Sequence, residues 1–156
     1  MKIGIILYSN TGNTRVVGNQ LEMALTQAGH EVMLLEVMSE GTPPNVNLTA
    51  VPDPTPYDMV IFGGPVQAFT ACVTMKKYLQ GLPNGFDKKF ACFVTQYLPF
   101  KWLGGENAVK VMKGIVEEKG GHYIGHGVIN WSRNDRQSRM DLMVLHIQRL
   151  IEIEMM

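Results

Sequence analysis

Apolar runs rich in β-branched residues alternate with segments of helical period along most of the chain, and few architectures accept that order. Strands of a parallel sheet are covered by helices on both faces, so they read as continuous apolar runs rather than as an in-out alternation. Residues 2–8, from Lys2 to Tyr8, are such a run and are expected to form the first strand. Glu31 to Val37, Asp58 to Phe62 and Lys89 to Thr95 have strand length, and Tyr123 to Ile129 is a fifth strand with more glycine. Between them, Val17, Leu21, Ala24, Leu25 and Ala28 recur at helical spacing, with Gly29 as the stop. Ala108, Val109, Met112, Ile115 and Val116 form a second stripe, closed by Gly120 and Gly121. Met140, Met143, Val144, Ile147, Leu150 and Ile151 form a third. Phe69 to Gln80 is a fainter helix, ended by Gly81 and Pro83.

The alternation breaks between Met38 and Pro56. Prolines at 43, 44, 52, 54 and 56 stand where another helix belongs. Proline removes a donor and clashes inside a helix, so a loop with at most one or two turns is expected.

A length of 156 residues is enough for one cored domain spanning 1–156. The 14 basic and 14 acidic residues cancel, which removes the basic excess that nucleic-acid binders carry and any long-range field for steering a charged partner. Cys72 and Cys92 belong to no paired or metal-ligand spacing and are read as buried fillers. No apolar run approaches the roughly 20 residues of a membrane span, and the first apolar run ends in polar residues, not in a cleavage site. A cytoplasmic protein without membrane or nucleic-acid partners is expected.

The first strand leads into Ser9-Asn10-Thr11-Gly12-Asn13-Thr14, just before the first helix. Backbone N–H groups at a helix start, the positive end of its dipole, a glycine that permits close approach and neutral hydroxyl donors together suit an anion. In doubly wound sheets, ligands gather at this end of the strands. A capped strand-to-helix turn without further function uses the same residue types. The lysine of a phosphate-binding P-loop and the three-glycine dinucleotide fingerprint are absent. So are the acidic pair of a phospho-acceptor domain and the loop cysteine of a small phosphatase.

Ser9-x-Thr11-Gly12-x-Thr14 resembles the Ser/Thr-x-Ser/Thr-Gly-x-Thr phosphate signature of flavodoxins. The resemblance covers the whole chain in order and length. It implies a five-stranded parallel sheet of order 2-1-3-4-5 with helix two reduced. It also implies one FMN whose phosphate is held by Ser9, Asn10, Thr11, Gly12, Asn13 and Thr14 without an obligatory cation.

The segment Phe62-Gly63-Gly64-Pro65-Val66-Gln67-Ala68-Phe69-Thr70 resembles the Gly-x-Pro-Val-x-Ala-Phe-Thr loop of small flavodoxins, with Gln67 where many relatives have Trp. That implies flavin contacts from Pro65, Val66, Gln67, Ala68 and Phe69, with Phe69 as the replacement ring and Gly63 and Gly64 in a backbone able to rearrange. After strand four, Thr95, Gln96, Tyr97, Trp102 and Gly104 are implied at the ring, with Tyr97 as the stacking residue and Trp102 as its rival.

The four histidines are scattered and are read as structural or exposed. Arg133, Arg136 and Arg139 against Asp135 form a basic segment after strand five; a solvated helix start, an acidic partner and a nucleotide phosphate all fit it. The family implies an electron carrier served by a redox partner protein, either a reductase or an electron acceptor. A small FMN-dependent NAD(P)H or quinone oxidoreductase and a flavin-poor interaction module are the alternatives. Carriers of this family are typically acidic and dock on basic partners, and this neutral chain departs from that pattern.

Overall fold

A computed structural model of the protein describes residues 1–97 and 104–156. Strand β1 (Lys2–Leu7) is central, paired in parallel with β2 (Glu31–Glu36) on one side and with β5 (Met59–Gln67) on the other. β7 (Lys89–Gln96) and β8 (His122–Asn130) extend the sheet, giving the order β2-β1-β5-β7-β8. This is the expected 2-1-3-4-5 arrangement. Register sets Ile5 between Leu34 and Ile61, three apolar residues that point to one face because side chains alternate along each strand.

Helices α1 (Asn13–Gln27) and α4 (Arg136–Glu154) cover that face, where Ile3, Ile5, Leu7, Leu21, Ile61, Phe93 and Ile147 are fully buried. Helices α2 (Val73–Gln80) and α3 (Gly105–Glu118) cover the other, over Ile6, Val60, Phe62, Phe90 and Cys92. Gly29 ends α1 at φ +96°, the left-handed conformation its sequence position predicts. Both cysteines are buried as expected, and burial pushes the Cys72 thiol up to about 11 and Cys92 up to about 12.

Three expectations need correction. The Met38 to Pro56 segment is not a loop: it forms an antiparallel hairpin of β3 (Met38–Thr42) and β4 (Asn45–Ala50). The prolines exclude a helix, but Pro43 and Pro44 sit at the turn and the other three lie beyond β4, leaving both strands free to pair. Alternation along β4 puts Val46 inside and Asn47 outside. Second, the helix expected over Phe69 to Gln80 begins at Val73, because Ala68 and Phe69 have φ of +50° and +63° and Thr70–Ala71 forms a short strand, β6, on β5. Third, Gly63 and Gly64 are not loop residues. They lie within β5, where a Cβ on Gly63 would stand 2.2 Å from Phe93 Cζ and one on Gly64 would stand 3.0 Å from Met75 Cγ. Their small size makes room for core side chains, and both are buried.

Candidate functional site

All the parallel strands end on one side of the molecule, and the ends of β1, β5 and β7 meet there. A hollow of about 240 Å³ is lined by Asn10 and Thr11 from the loop after β1 and Asn13 from the start of α1, Pro65, Val66 and Gln67 from the end of β5, and Thr95, Gln96 and Tyr97 from the end of β7 and the residue after it. None of these nine side chains is a carboxylate, a thiol, an imidazole or an ammonium group.

The first loop reaches α1 through Gly12 at φ +95°, where a Cβ would meet nothing within 4 Å. The glycine therefore answers to backbone conformation and to access from outside, not to packing. Ser9 Oγ accepts the Arg15 N–H at 3.2 Å, and the Gly12 carbonyl accepts the Val16 N–H at 3.1 Å. Among the described residues, the N–H groups of Asn10 to Thr14 have no hydrogen-bond acceptor. Thr14 is 1% exposed and Thr95 4%, and their hydroxyls bond each other at 2.8 Å. Thr14 thus ties the first turn of α1 to β7 from beneath the loop. Ser9 lines a neighbouring hollow of about 220 Å³ together with Arg15 and Glu36, which are ion-paired.

The second loop is a two-residue hairpin turn. Gln67 pairs with Thr70, and Ala68 and Phe69 between them both occupy the left-handed region, which is costly for residues with a Cβ. Two contacts hold it: Asn107 Nδ2 donates to the Phe69 carbonyl at 3.1 Å, and Gly104 lies against its backbone. A Cβ on Gly104 would stand 2.7 Å from Val66 Cγ1 and 2.8 Å from Phe69 Cα, and its φ is +124°. Phe69 is 61% exposed and Tyr97 is 74% exposed.

The described residues thus gather most of the predicted set at one end of the sheet. Ser9, Gly12, Thr14, Ala68, Phe69 and Gly104 adjoin or support the hollow without lining it, and Trp102 lies outside the described residues. A feature that sequence reading missed is the pair Gln96 and Asn130, each 4% exposed, with Gln96 Nε2 donating to Asn130 Oδ1 at 2.6 Å. It joins the ends of β7 and β8, and its only signal is a polar residue closing each of two apolar strands. Another is His126, whose Nδ1 meets the Tyr123 hydroxyl and whose Nε2 lies 3.1 Å from Glu106. It lines a separate hollow of about 540 Å³ between β8 and α4 that contains Arg139 of the basic segment but none of the residues expected to hold the flavin. Size alone would favour that hollow; the convergence of three strand ends and a helix start favours the smaller one.

Among the described residues no group of three or more His, Cys, Asp or Glu side chains is placed to hold a metal, and no helix is long and apolar enough to cross a membrane.

No protein-family model matches the chain, and no curated protein does. Solved structures do. Flavodoxin 2 from Bacillus cereus superposes with a TM-score of 0.68 at 19% identity, over 93% of this chain and 96% of that one. A flavoprotein in complex with FMN from Lactobacillus acidophilus gives 0.64 at 17%, over 91% and 97%. A WrbA-like flavodoxin from Agrobacterium tumefaciens gives 0.70 at 14%, over 97% and 96%. The fold is therefore flavodoxin-like, as the sequence resemblance implied.

Proposed function

We propose that this protein binds one FMN at the ends of β1, β5 and β7 and carries electrons with it. The observation that carries the reading is an exposed ring on the hollow, Tyr97, with a second exposed ring, Phe69, on the turn beside it, and a helix start whose N–H groups have no acceptor among the described residues. Exposed aromatic surface is stabilised by a flat apolar partner, and free amides at a positive dipole end by an anion. FMN offers both on one molecule.

The N–H groups of Asn10 to Thr14 and the hydroxyls of Ser9 and Thr11 would hold the phosphate, with Thr14 fixing the helix start from below. Pro65, Val66 and Gln67 would border the ring on one side and Thr95, Gln96 and Tyr97 on the other, with Ala68, Phe69 and Gly104 forming the strained turn beside it. Trp102 belongs to the same proposed set. The bound flavin supplies a ring that accepts and returns electrons. Neutral walls disfavour added negative charge on whatever they enclose, which is how these residues would set its potentials. Carrier is favoured over oxidoreductase because none of the described lining side chains is a carboxylate, an imidazole, a thiol or an ammonium group, the groups most often used for general acid or base work near neutral pH.

The apoprotein should take up FMN stoichiometrically with quenched flavin fluorescence, and riboflavin at least about 100-fold more weakly, equivalent to about 2.7 kcal/mol. Equal affinity for the two would overturn the phosphate assignment. NAD(P)H oxidation by the isolated holoprotein with a quinone, at or above about 1 s⁻¹, would replace the carrier by the enzyme.

A further inference from the structure

We infer that the segment after β8, Trp131 to Arg139, is a docking surface for an acidic redox protein, placed beside the proposed flavin site. The inference rests on the FMN reading for its purpose, but its charge and geometry stand by themselves.

Location comes first. The Trp131 N–H donates to the Gln96 carbonyl at 2.7 Å, and Gln96 is a wall of the 240 Å³ hollow with Tyr97 next in sequence. Arg136 in turn donates from a terminal guanidinium nitrogen to the Trp131 carbonyl at 2.7 Å, with its charge 4.9 Å from the centre of the Trp131 ring. Two hydrogen bonds therefore connect the candidate site to an exposed arginine.

Charge is the second observation. The segment carries Arg133, Arg136 and Arg139 against Asp135 alone. Asp135 is shared, accepting from Arg139 at 2.9 Å and from Arg133 at 3.3 Å. Desolvation pushes its carboxyl up, but the hydrogen bonds and charges of the two arginines together outweigh that and hold it below the usual range. Arg136 has no carboxylate partner among the described residues. One aspartate cannot neutralise three guanidinium groups, so this rim is basic although the chain as a whole is neutral.

The third observation is preorganisation. Trp131 packs against the core beneath α4, and its ring and carbonyl fix the Arg136 guanidinium before any partner arrives. Arginine and tryptophan are the residues that most often dominate protein interfaces, and a prepositioned planar donor matches a carboxylate. Ser132, Arg133, Asn134 and Asp135 line a hollow of about 390 Å³ on the same rim, large enough to admit a partner's side chain. An acidic partner face would be steered to this rim and brought against the exposed edge of the site. That polarity is opposite to the acidic-carrier pattern implied by the sequence resemblance.

The test uses two probe proteins of opposite charge, a strongly acidic plant-type ferredoxin and the strongly basic cytochrome c, each titrated into the full-length protein with and without FMN. Complex formation is followed by amide and indole shift changes at low and high salt. The ferredoxin should bind, weaken as salt rises, and move the Trp131 indole signal in both forms. Arg136→Glu and, separately, Arg133→Glu should each weaken it about tenfold or more. Arg133→Glu leaves the Trp131 contacts intact and so guards against misfolding of the first variant. Arg149→Glu, on the exposed far half of α4, should change affinity less than twofold. Preference for cytochrome c, absence of a salt-sensitive ferredoxin complex, or insensitivity to both reversals would overturn the surface. A protein that binds ferredoxin in this way but takes up no FMN would overturn the flavin reading and leave the docking surface standing.

Discussion

The two walls of the candidate site are held in different ways. The Ser9 to Thr14 wall is built from residues whose intrinsic preferences agree with their positions: one glycine supplies the single left-handed φ, and a buried hydroxyl pair anchors the helix start. The Val66 to Ala71 wall works against local preference, with Ala68 and Phe69 held left-handed by Gly104 and Asn107 from another element. A phosphate needs only a generic cradle of amides. In the proposed FMN site the second wall stands beside the ring, where shape matters, and backbone strain accumulates where tertiary contacts enforce a particular shape.

The sharpest way to break this contrast is at Gly104. Gly104→Ala would meet Val66 and Phe69 inside 3 Å at a φ of +124°, and should destabilise the fold by about 3 kcal/mol in urea unfolding. A loss below about 0.5 kcal/mol would mean that the turn is not clamped there.

Thr14→Val probes the other wall. It leaves Thr95 with a buried hydroxyl lacking its partner and should cost about 2 kcal/mol, whereas Thr14→Val with Thr95→Val should recover most of the loss. Full additivity of the two changes would remove the hydroxyl pair as the anchor.

For the rings, Tyr97→Ala and Phe69→Ala should each weaken FMN binding by about 1 kcal/mol and shift the visible flavin spectrum. Neither should alter unfolding by more than about 0.5 kcal/mol, because both rings are largely exposed. If Trp102→Ala produces both binding effects and Tyr97→Ala neither, the stacking ring has been misassigned.

The smallest expected change is a gain. Ala68→Gly removes a Cβ from a residue at φ +50° and should stabilise the protein by about 0.5–1 kcal/mol, raising Tm by about 1–4 °C. A decrease would show that the left-handed turn carries no strain.

These same elements explain what sequence reading could reach. The parallel strands and α1, α3 and α4 were legible because period and apolar content coincide there: Val17, Leu21 and Leu25 repeat at helical spacing and all three are buried. The phosphate-type loop was legible because Gly12 sits between a strand and a helix whose boundaries were both plain. The hairpin was hidden because five prolines dominated the reading, although the Val46 and Leu48 alternation was present. The Ala68–Phe69 turn gave no local sign, since neither residue favours a positive φ; its clamp, Asn107, is 38 residues away. The inward hydroxyl of Thr14 likewise depends on a threonine 81 positions later.

Among the described residues the β3–β4 hairpin shares no ladder with the main sheet; two side-chain bonds fasten it to α2, and a third fastens the segment that follows it. Ser39 and Thr74 hydroxyls meet at 2.9 Å, Lys77 donates to the Val46 carbonyl at 2.7 Å, and the Tyr78 hydroxyl donates to the Pro52 carbonyl at 2.6 Å. Releasing those bonds and the packing of Val46 and Leu48 frees the segment while the five parallel strands keep every one of their own pairings. The hairpin is therefore its own cooperative unit of opening, and its amides should exchange with solvent at a lower free energy than those of β1, β5 and β7. Chain length and sequence can change at its tip without a correction being passed to the sheet, which leaves this tip open to evolutionary insertion.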